Sequence, residues 1–305
     1  MTVAEKVEVK ETIVIYHVGG GDVDEGIGPM DNLFKLKGDI RLVIFDMMGP
    51  SAPRVTHISK DGIPITLVNA CVFSGRQTRD FYLNKLPESS SLFPPAEQAL
   101  KEHILYNGVD TWEQNTRLDR VMQVKTDSLD ELAVELNLPR ADVLSIDAQG
   151  AELEIMKGAS RILRKDVLAL QNEVEFFEIY AGQGLFHQQH EHLSRNGFRL
   201  FDIFNMQKWF PSGAIGKGFL TVGECVYFRF YDVLQFEQDY ARRLSKLLKL
   251  CRISWCFEAN SLSNMILTSL IQEYPQETQE LRANPKYAPI FYEWDCVKDN
   301  PTIYR

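Results

Sequence analysis

The chain has 305 residues, 45% apolar and 25% charged, with a net charge of −9. That balance is ordinary for a folded globular protein and excludes a disordered, collagen-like or disulfide-stapled chain. The negative sum argues against a general nucleic-acid binder, because neutralising phosphates takes a surplus of Lys and Arg.

The first eleven residues, MTVAEKVEVKE, have no apolar core, so they read as a tail rather than a secretory signal. Strand-like runs then alternate with helical ones. Thr12–Val18 (TIVIYHV), Ile40–Asp46 (IRLVIFD) and Ile65–Val72 (ITLVNACV) are apolar without strict alternation, as in strands buried on both faces. Asn84–Met122 carries Pro87, Pro94, Pro95 and Trp112 and fits no strand cleanly; its length suits a cover over a site. Ser128–Asn137 predicts a helix, with Asp127 or Ser128 as its N-cap. Ala141–Asp147 and Val167–Val174 predict two more buried strands, with a helix over Gly150–Arg164 between them. Phe198–Phe204 and Val222–Phe230 have only a Gly- and Pro-bearing loop between them and read as an antiparallel edge hairpin. Phe236–Arg252 and Ser261–Glu273 look helical, and the last stretch irregular.

Strand, helix, strand, repeated, predicts an α/β sheet with crossover helices. The expected organisation is a tail (1–11), a core over 12–232 and a helical C-terminal extension over 233–305. Cys71, Cys225, Cys251, Cys256 and Cys296 are scattered and form no CxxC pair, which favours reduced thiols and a cytoplasmic location. No apolar run reaches the roughly 18 residues of a membrane span.

The first strand runs into Gly19-Gly20-Gly21-Asp22, where backbone N–H groups can approach a ligand closely. The second ends in Asp46, placed as an acid that bonds ribose hydroxyls. A dinucleotide fingerprint is not met, since the third glycine counted from Gly19 falls on Asp24. By itself the turn also fits a βα connection with no ligand.

Asp142–Ala159 reads DVLSIDAQGAELEIMKGA and is followed by NEVEFFEIY (Asn172–Tyr180) and GFRLFDI (Gly197–Ile203). This block resembles the FkbM-type S-adenosylmethionine-dependent methyltransferases, whose hallmark is a strand ending D-x-x-G-x-E followed by an L-K-G-A type helix. Here those positions are Asp147, Gly150, Glu152 and Lys157-Gly158-Ala159. The resemblance extends over about 12–232, through VKTDSLDEL (Val124–Leu132), Asn69–Pro95 and GECVYFRF. It implies a Rossmann-like class I methyltransferase sheet, mostly parallel with an antiparallel edge hairpin. It also implies S-adenosyl-L-methionine as cofactor, O-methylation of a sugar, glycan or polyketide-like acceptor, and no required metal. The cofactor-binding positions it implies are His17, Gly19, Gly20, Gly21, Asp46, Asn69 and Ala70. Two positions depart from the family pattern. His17 stands where an acid usually precedes the glycines, and Met47 stands where proline usually follows the strand-end acid. Asp22, Asp24 and Glu25 are available to substitute for the missing acid.

Methyl transfer to a hydroxyl needs donor carbon and acceptor oxygen held about 3 Å apart and in line, and a base within reach of the leaving proton. Asp147 ends the fourth strand and Glu173 lies near the end of the fifth, both toward the crevice where open α/β sheets bind ligands. Asp147 is therefore expected as base or acceptor-orienting group, with Glu173 second. The competing role for Asp147 is a helix cap. For Glu152 it is dipole stabilisation in a first helical turn. Two strand-end acids could alternatively hold Mg²⁺. His187, His190 and His192 read as solvent-facing rather than zinc-binding. Arg242, Arg243, Lys246, Lys249 and Arg252 form a basic stripe, either an amphipathic surface helix or a face for an anionic acceptor or membrane. The apolar faces of Phe236–Glu273 should bury against the core or a second copy, with a homodimer expected. A non-catalytic binding module that kept the fold is the alternative to an enzyme. In either reading the partner is a small molecule or glycan, with no nucleic acid and no integral membrane association.

Overall fold

The computed structural model describes residues 12–19, 28–49, 51–102, 104–105, 110–214, 216–230, 234 and 237–299. The strands are β1 (Ile13–Gly19), β2 (Ile40–Asp46), β3 (Val55–Lys60), β4 (Ile63–Asn69), β5 (Cys71–Val72), β6 (Gln77–Asn84), β7 (Ile104–Leu105), β8 (Leu118–Asp127), β9 (Val143–Asp147), β10 (Ala169–Glu175), β11 (Phe198–Pro211) and β12 (Phe219–Arg229). The α-helices are α1 (Glu97–Lys101), α2 (Trp112–Asn115), α3 (Leu129–Glu135), α4 (Glu152–Gly158), α5 (Ser160–Lys165), α6 (Phe186–Arg195), α7 (Tyr240–Cys256), α8 (Asn260–Glu273), α9 (Pro275–Arg282) and α10 (Ala288–Asp299).

A large mixed sheet has the order β3-β4-β2-β1-β9-β10-β12-β11-β7. Its centre, β4-β2-β1-β9-β10, is parallel. β12 and β11 return antiparallel, forming the hairpin the sequence suggested. The other edge closes with the β3–β4 hairpin, which the sequence reading did not include. Its two-residue turn, Asp61-Gly62, has φ of +51° and +82°, the geometry that suits right-twisted strands.

Alternation along β1 separates two cores. Val14, Tyr16 and Val18 face α3 to α6, whereas Ile13 and Ile15 face α7, α8 and α10. Ser128, rather than Asp127, caps α3 in a reciprocal box with Glu131. The helix expected over Gly150–Arg164 is two helices, α4 and α5. Gly158 lies at the break, where a Cβ would stand 2.4 Å from the Phe73 carbonyl oxygen.

The stretch expected to be irregular after Glu273 is α9 and α10, with Pro275 in the first turn of α9, where its missing N–H costs nothing. Leu244, Leu247, Leu248 and Leu250 of α7 lie in the same apolar cluster as Ile13, Leu42 and Ile44. The sheet thus takes the helical faces for which a second copy was invoked, which removes that reason for expecting a homodimer.

The basic stripe is neither a free surface nor a face open to a ligand. Arg242 meets Asp166 (3.0 Å) and Glu237 (3.1 Å), Arg243 meets Glu273, Lys246 meets Glu237, Lys249 meets Asp142 (2.8 Å) and Arg252 meets Asp39 (2.7 Å). Asp39, Asp142 and Asp166 lie in the connections that lead into β2, β9 and β10, so those contacts dock α7 onto the sheet, whereas Glu237 and Glu273 belong to the C-terminal segment itself. Asp142 Oδ2 also accepts the Val14 N–H at 2.8 Å. Lys249→Ala should therefore leave a nearly sealed carboxylate beside β1. A loss of about 2–3 kcal/mol is expected, less than for a fully buried pair because Lys249 keeps some water. Denaturant unfolding checks it, and an unchanged midpoint would show that the pair does not hold α7.

Among the described residues no helix is long and apolar enough to cross a membrane, and all five cysteines are unpaired.

Candidate active site at the strand ends

The chain runs outward from β1 through β2 to β4, then returns to build β9 and β10 on the other side of β1. The reversal opens a crevice between the carboxyl ends of β1 and β9, where α/β sheets bind ligands. Gly19 and Asp147 are register partners across it. Gly19 has φ of +79°, and a Cβ there would fall 1.8 Å from the Asp147 carbonyl oxygen, so only glycine fits. A cavity of about 670 Å³ opens at this point.

The cavity is walled by the excursion between β6 and β8. Leu86, Ser89–Leu92, Trp112 and Asn115 line it opposite Asp46, Ala70, Asp147 and Glu173. The segment is rooted at both ends in a second, small sheet, β5-β8-β6, while β7 within it pairs with β11 of the large sheet; its final residues, Leu118–Met122, begin β8 instead of continuing the loop. Trp112 pins it down by donating from Nε1 to the Ile179 carbonyl (3.0 Å) and packing edge-on against Tyr180.

Of the positions implied for the cofactor, Gly19, Asp46 and Ala70 line the cavity. Gly20 and Gly21 lie outside the described residues, as do Asp22, Asp24 and Glu25. Asp46 Oδ1 accepts the Met47 N–H at 2.6 Å, and burial raises its pKa. Asn69 is not at the cavity. Its amide donates to the Gly49 and Ala52 carbonyls and accepts from Met48 N–H, fixing the loop after β2. His17 is not at the cavity either. It is buried two residues before the strand end, with Nδ1 3.0 Å from Ser145 Oγ, on the face opposite Tyr16 and Val18.

Asp147 and Glu173 come together with Glu152. One ligand oxygen from each lies within 4.8 Å of the others. Gln149 Nε2 bridges two of them, donating to Asp147 Oδ1 (3.0 Å) and Glu173 Oε2 (3.3 Å). Asp147 does not cap α4, whose N-cap is Ala151 with no side-chain bond. Glu152 holds the turn instead, its Oε1 accepting the N–H groups of Ala148 (2.8 Å) and Gly150 (3.2 Å). Glu152 is fully buried, which pushes its pKa up to about 7. Burial likewise raises Asp147. It also raises Glu173, which feels the Asp147 charge next.

Four neighbours of these acids, Gln149, Ser91, Tyr180 and Glu175, were not singled out by the sequence reading. Gln149 occupies a variable place in D-x-x-G-x-E and so carried no residue-type signal. It adopts φ of +51°, uncommon for a residue with a side chain. Ser91 Oγ donates to its carbonyl (2.6 Å) and Tyr180 OH lies 2.9 Å from its Oε1, so both ends are held. Tyr180 closes the segment Asn172–Tyr180. Glu175, fully buried, was detectable from the strand period of two, which puts it on the side of Glu173. Of the three histidines read as solvent-facing, only the first is so placed; His192 buries its Nε2, and burial lowers its pKa. His187 is exposed, and His190 packs on Phe186 and Tyr227.

No curated protein and no solved structure matches the chain. Residues 63–200, which include β4, the excursion, the D-x-x-G-x-E turn and β10, match a family model described as the methyltransferase FkbM domain. Residues 63–200 of the chain thus carry an FkbM methyltransferase domain.

Proposed function

We propose that the chain is an S-adenosylmethionine-dependent O-methyltransferase acting on a hydroxyl of a sugar, glycan or polyketide-like small molecule, on a Rossmann-like class I fold. One observation carries the reading. A single crevice at the reversal of strand order collects a glycine with no room for a side chain, a β2-terminal acid and two further strand-end acids. Gly19 leaves space for close backbone approach, and Asp46 is set for the ribose hydroxyls. The bound cofactor supplies an electrophilic methyl group on a sulfonium.

Asp147 is the residue we assign to the acceptor proton. Its raised proton affinity makes it a stronger base than an exposed carboxylate. Gln149 fixes the carboxylate, and Glu173 stands beside it on the same bridge. Trp112, Trp209 and Phe81 line the cavity together with Ser89–Ser91. Such a lining suits a ring with an apolar face and hydroxyl edges. A screen of nucleotide sugars and glycans with a labelled methyl donor tests the acceptor class.

Asp46→Ala should weaken S-adenosylhomocysteine binding by about 1–3 kcal/mol through lost hydrogen bonds to a charged acceptor. Calorimetry checks it, and unchanged affinity would place the ribose elsewhere. A wild-type chain that binds no S-adenosylhomocysteine would overturn the enzyme reading.

A further inference from the structure

We propose that Asp147, Glu152 and Glu173 hold a divalent cation of Ca²⁺ or Mn²⁺ size at the carboxyl ends of β9 and β10. Three oxygens no more than 4.8 Å apart share a point within about 2.8 Å of each. A small contraction brings that radius to the 2.3–2.6 Å of Ca²⁺–oxygen ligation, whereas Mg²⁺ at 2.0–2.1 Å would need a larger one. All the donors are carboxylate oxygens, the hard ligands these ions prefer.

A second observation points to the ligand. Glu152, a member of the group, is fully buried and its Oε2 has no hydrogen-bond partner. Glu175, whose charge is felt by this group, is also fully buried, with the Gln183 side chain as its polar neighbour and, among the described residues, no cation beside it. Among the described residues no Lys, Arg or His pairs with any of these four acids. Carboxylates so close together, two of the four sealed from water and two partly buried, favour taking up protons or meeting a cation. The surrounding bonds leave the ligand positions available. Gln149 takes one oxygen of Asp147 and one of Glu173, and backbone N–H groups take one of Glu152. Tyr180 and Ser91 hold Gln149, so the outer support of the group is built as well. The group borders the cavity through Asp147 and Glu173, which gives an ion an entry path and leaves a side open to an acceptor hydroxyl.

The test is calorimetric titration of the full chain, stripped with EDTA and free of S-adenosyl compounds, with CaCl₂, MnCl₂ and MgCl₂ near neutral pH. One Ca²⁺ or Mn²⁺ per chain is expected, with weaker uptake of Mg²⁺. Glu173→Gln and Glu152→Gln should each raise Kd about tenfold or more, since ligand charge count sets affinity in such sites. Both substitutions keep side-chain volume, and circular dichroism confirms the fold. Glu173 touches the cavity, so its variant stands even if the Glu152 one fails to fold. No uptake up to about 10 mM, beyond the weakest sites of this type, would overturn the proposal. So would uptake unchanged in the folded variants. The readout needs neither methyl donor nor acceptor, so it fails independently of the methyl-transfer reading.

Discussion

Asp147→Asn should lower the methyl-transfer rate by about 10²–10⁴-fold while leaving S-adenosylhomocysteine affinity close to wild type. Asparagine keeps the size of the side chain and can still accept from Gln149 Nε2, which lies 3.0 Å from Asp147 Oδ1. What it loses is the negative charge and the ability to take a proton. A helix-capping role would predict almost no change, because Asn caps as well as Asp. That role is absent here, since the turn into α4 is held by Glu152. The cofactor contacts assigned to Gly19 and Asp46 lie on β1 and β2, so binding should not follow the rate. Single-turnover kinetics with calorimetry separates the two quantities. Turnover within about threefold of wild type would remove Asp147 from the chemistry and transfer its role to Glu173.

The parts of this molecule legible in the sequence are those whose surroundings are uniform. β1, β2, β9 and β10 are buried on both faces, and near-continuous apolar runs follow directly from that. β6 and β8 were missed because they are half-exposed and polar, QTRDFYLN and LDRVMQVKTD, and because prolines lie between them. β3 was missed although Asp61-Gly62 is a hairpin signal, since His57, Ser59 and Lys60 keep it from reading as a core strand.

The same distinction holds at the site. Asp147, Glu173 and Asp46 could be placed at the crevice because a strand's end is visible in the sequence and acids at or near it face that crevice. Asn69 and His17 were carried by the family pattern, and both are occupied with local bonding away from the cavity. The role of the basic stripe depended on partners that no local pattern reveals. Arg252 lies 213 positions from Asp39 and Lys249 lies 107 from Asp142. Helical spacing shows that five cations share a face, but only the fold shows that acids in the connections into the sheet wait opposite.

Glu175→Gln should raise the melting temperature of the EDTA-stripped chain at pH 8 by several degrees and leave it unchanged near pH 4. Glu175 is fully buried, and burial, followed by the charge of Glu152, raises its pKa well above the usual range against the opposing hydrogen bond of Gln183. An unfolded glutamate releases its proton near pH 4.3. Above that value the unfolded chain has lost a proton that the native chain still holds. Native stability therefore falls as pH rises, by about 1.4 kcal/mol per pH unit for each such acid. For Glu152 the window runs from about 4.5, the ordinary value, to about 7. For Glu173 and Glu175 it opens at the same point and continues upward. Below the window both states are protonated and the slope vanishes, so wild type and variant should converge in acid. Glutamine cannot ionise and removes one acid's share of the slope. At about 2 °C per kcal/mol, the gap should be plain by pH 8. Adding Ca²⁺ should flatten the wild-type slope, because a cation favours the ionised forms of Asp147, Glu152 and Glu173. Glu175 is not among those ligands, so its variant should keep its advantage in Ca²⁺. Melting curves that coincide at every pH would mean that water reaches Glu175 in solution.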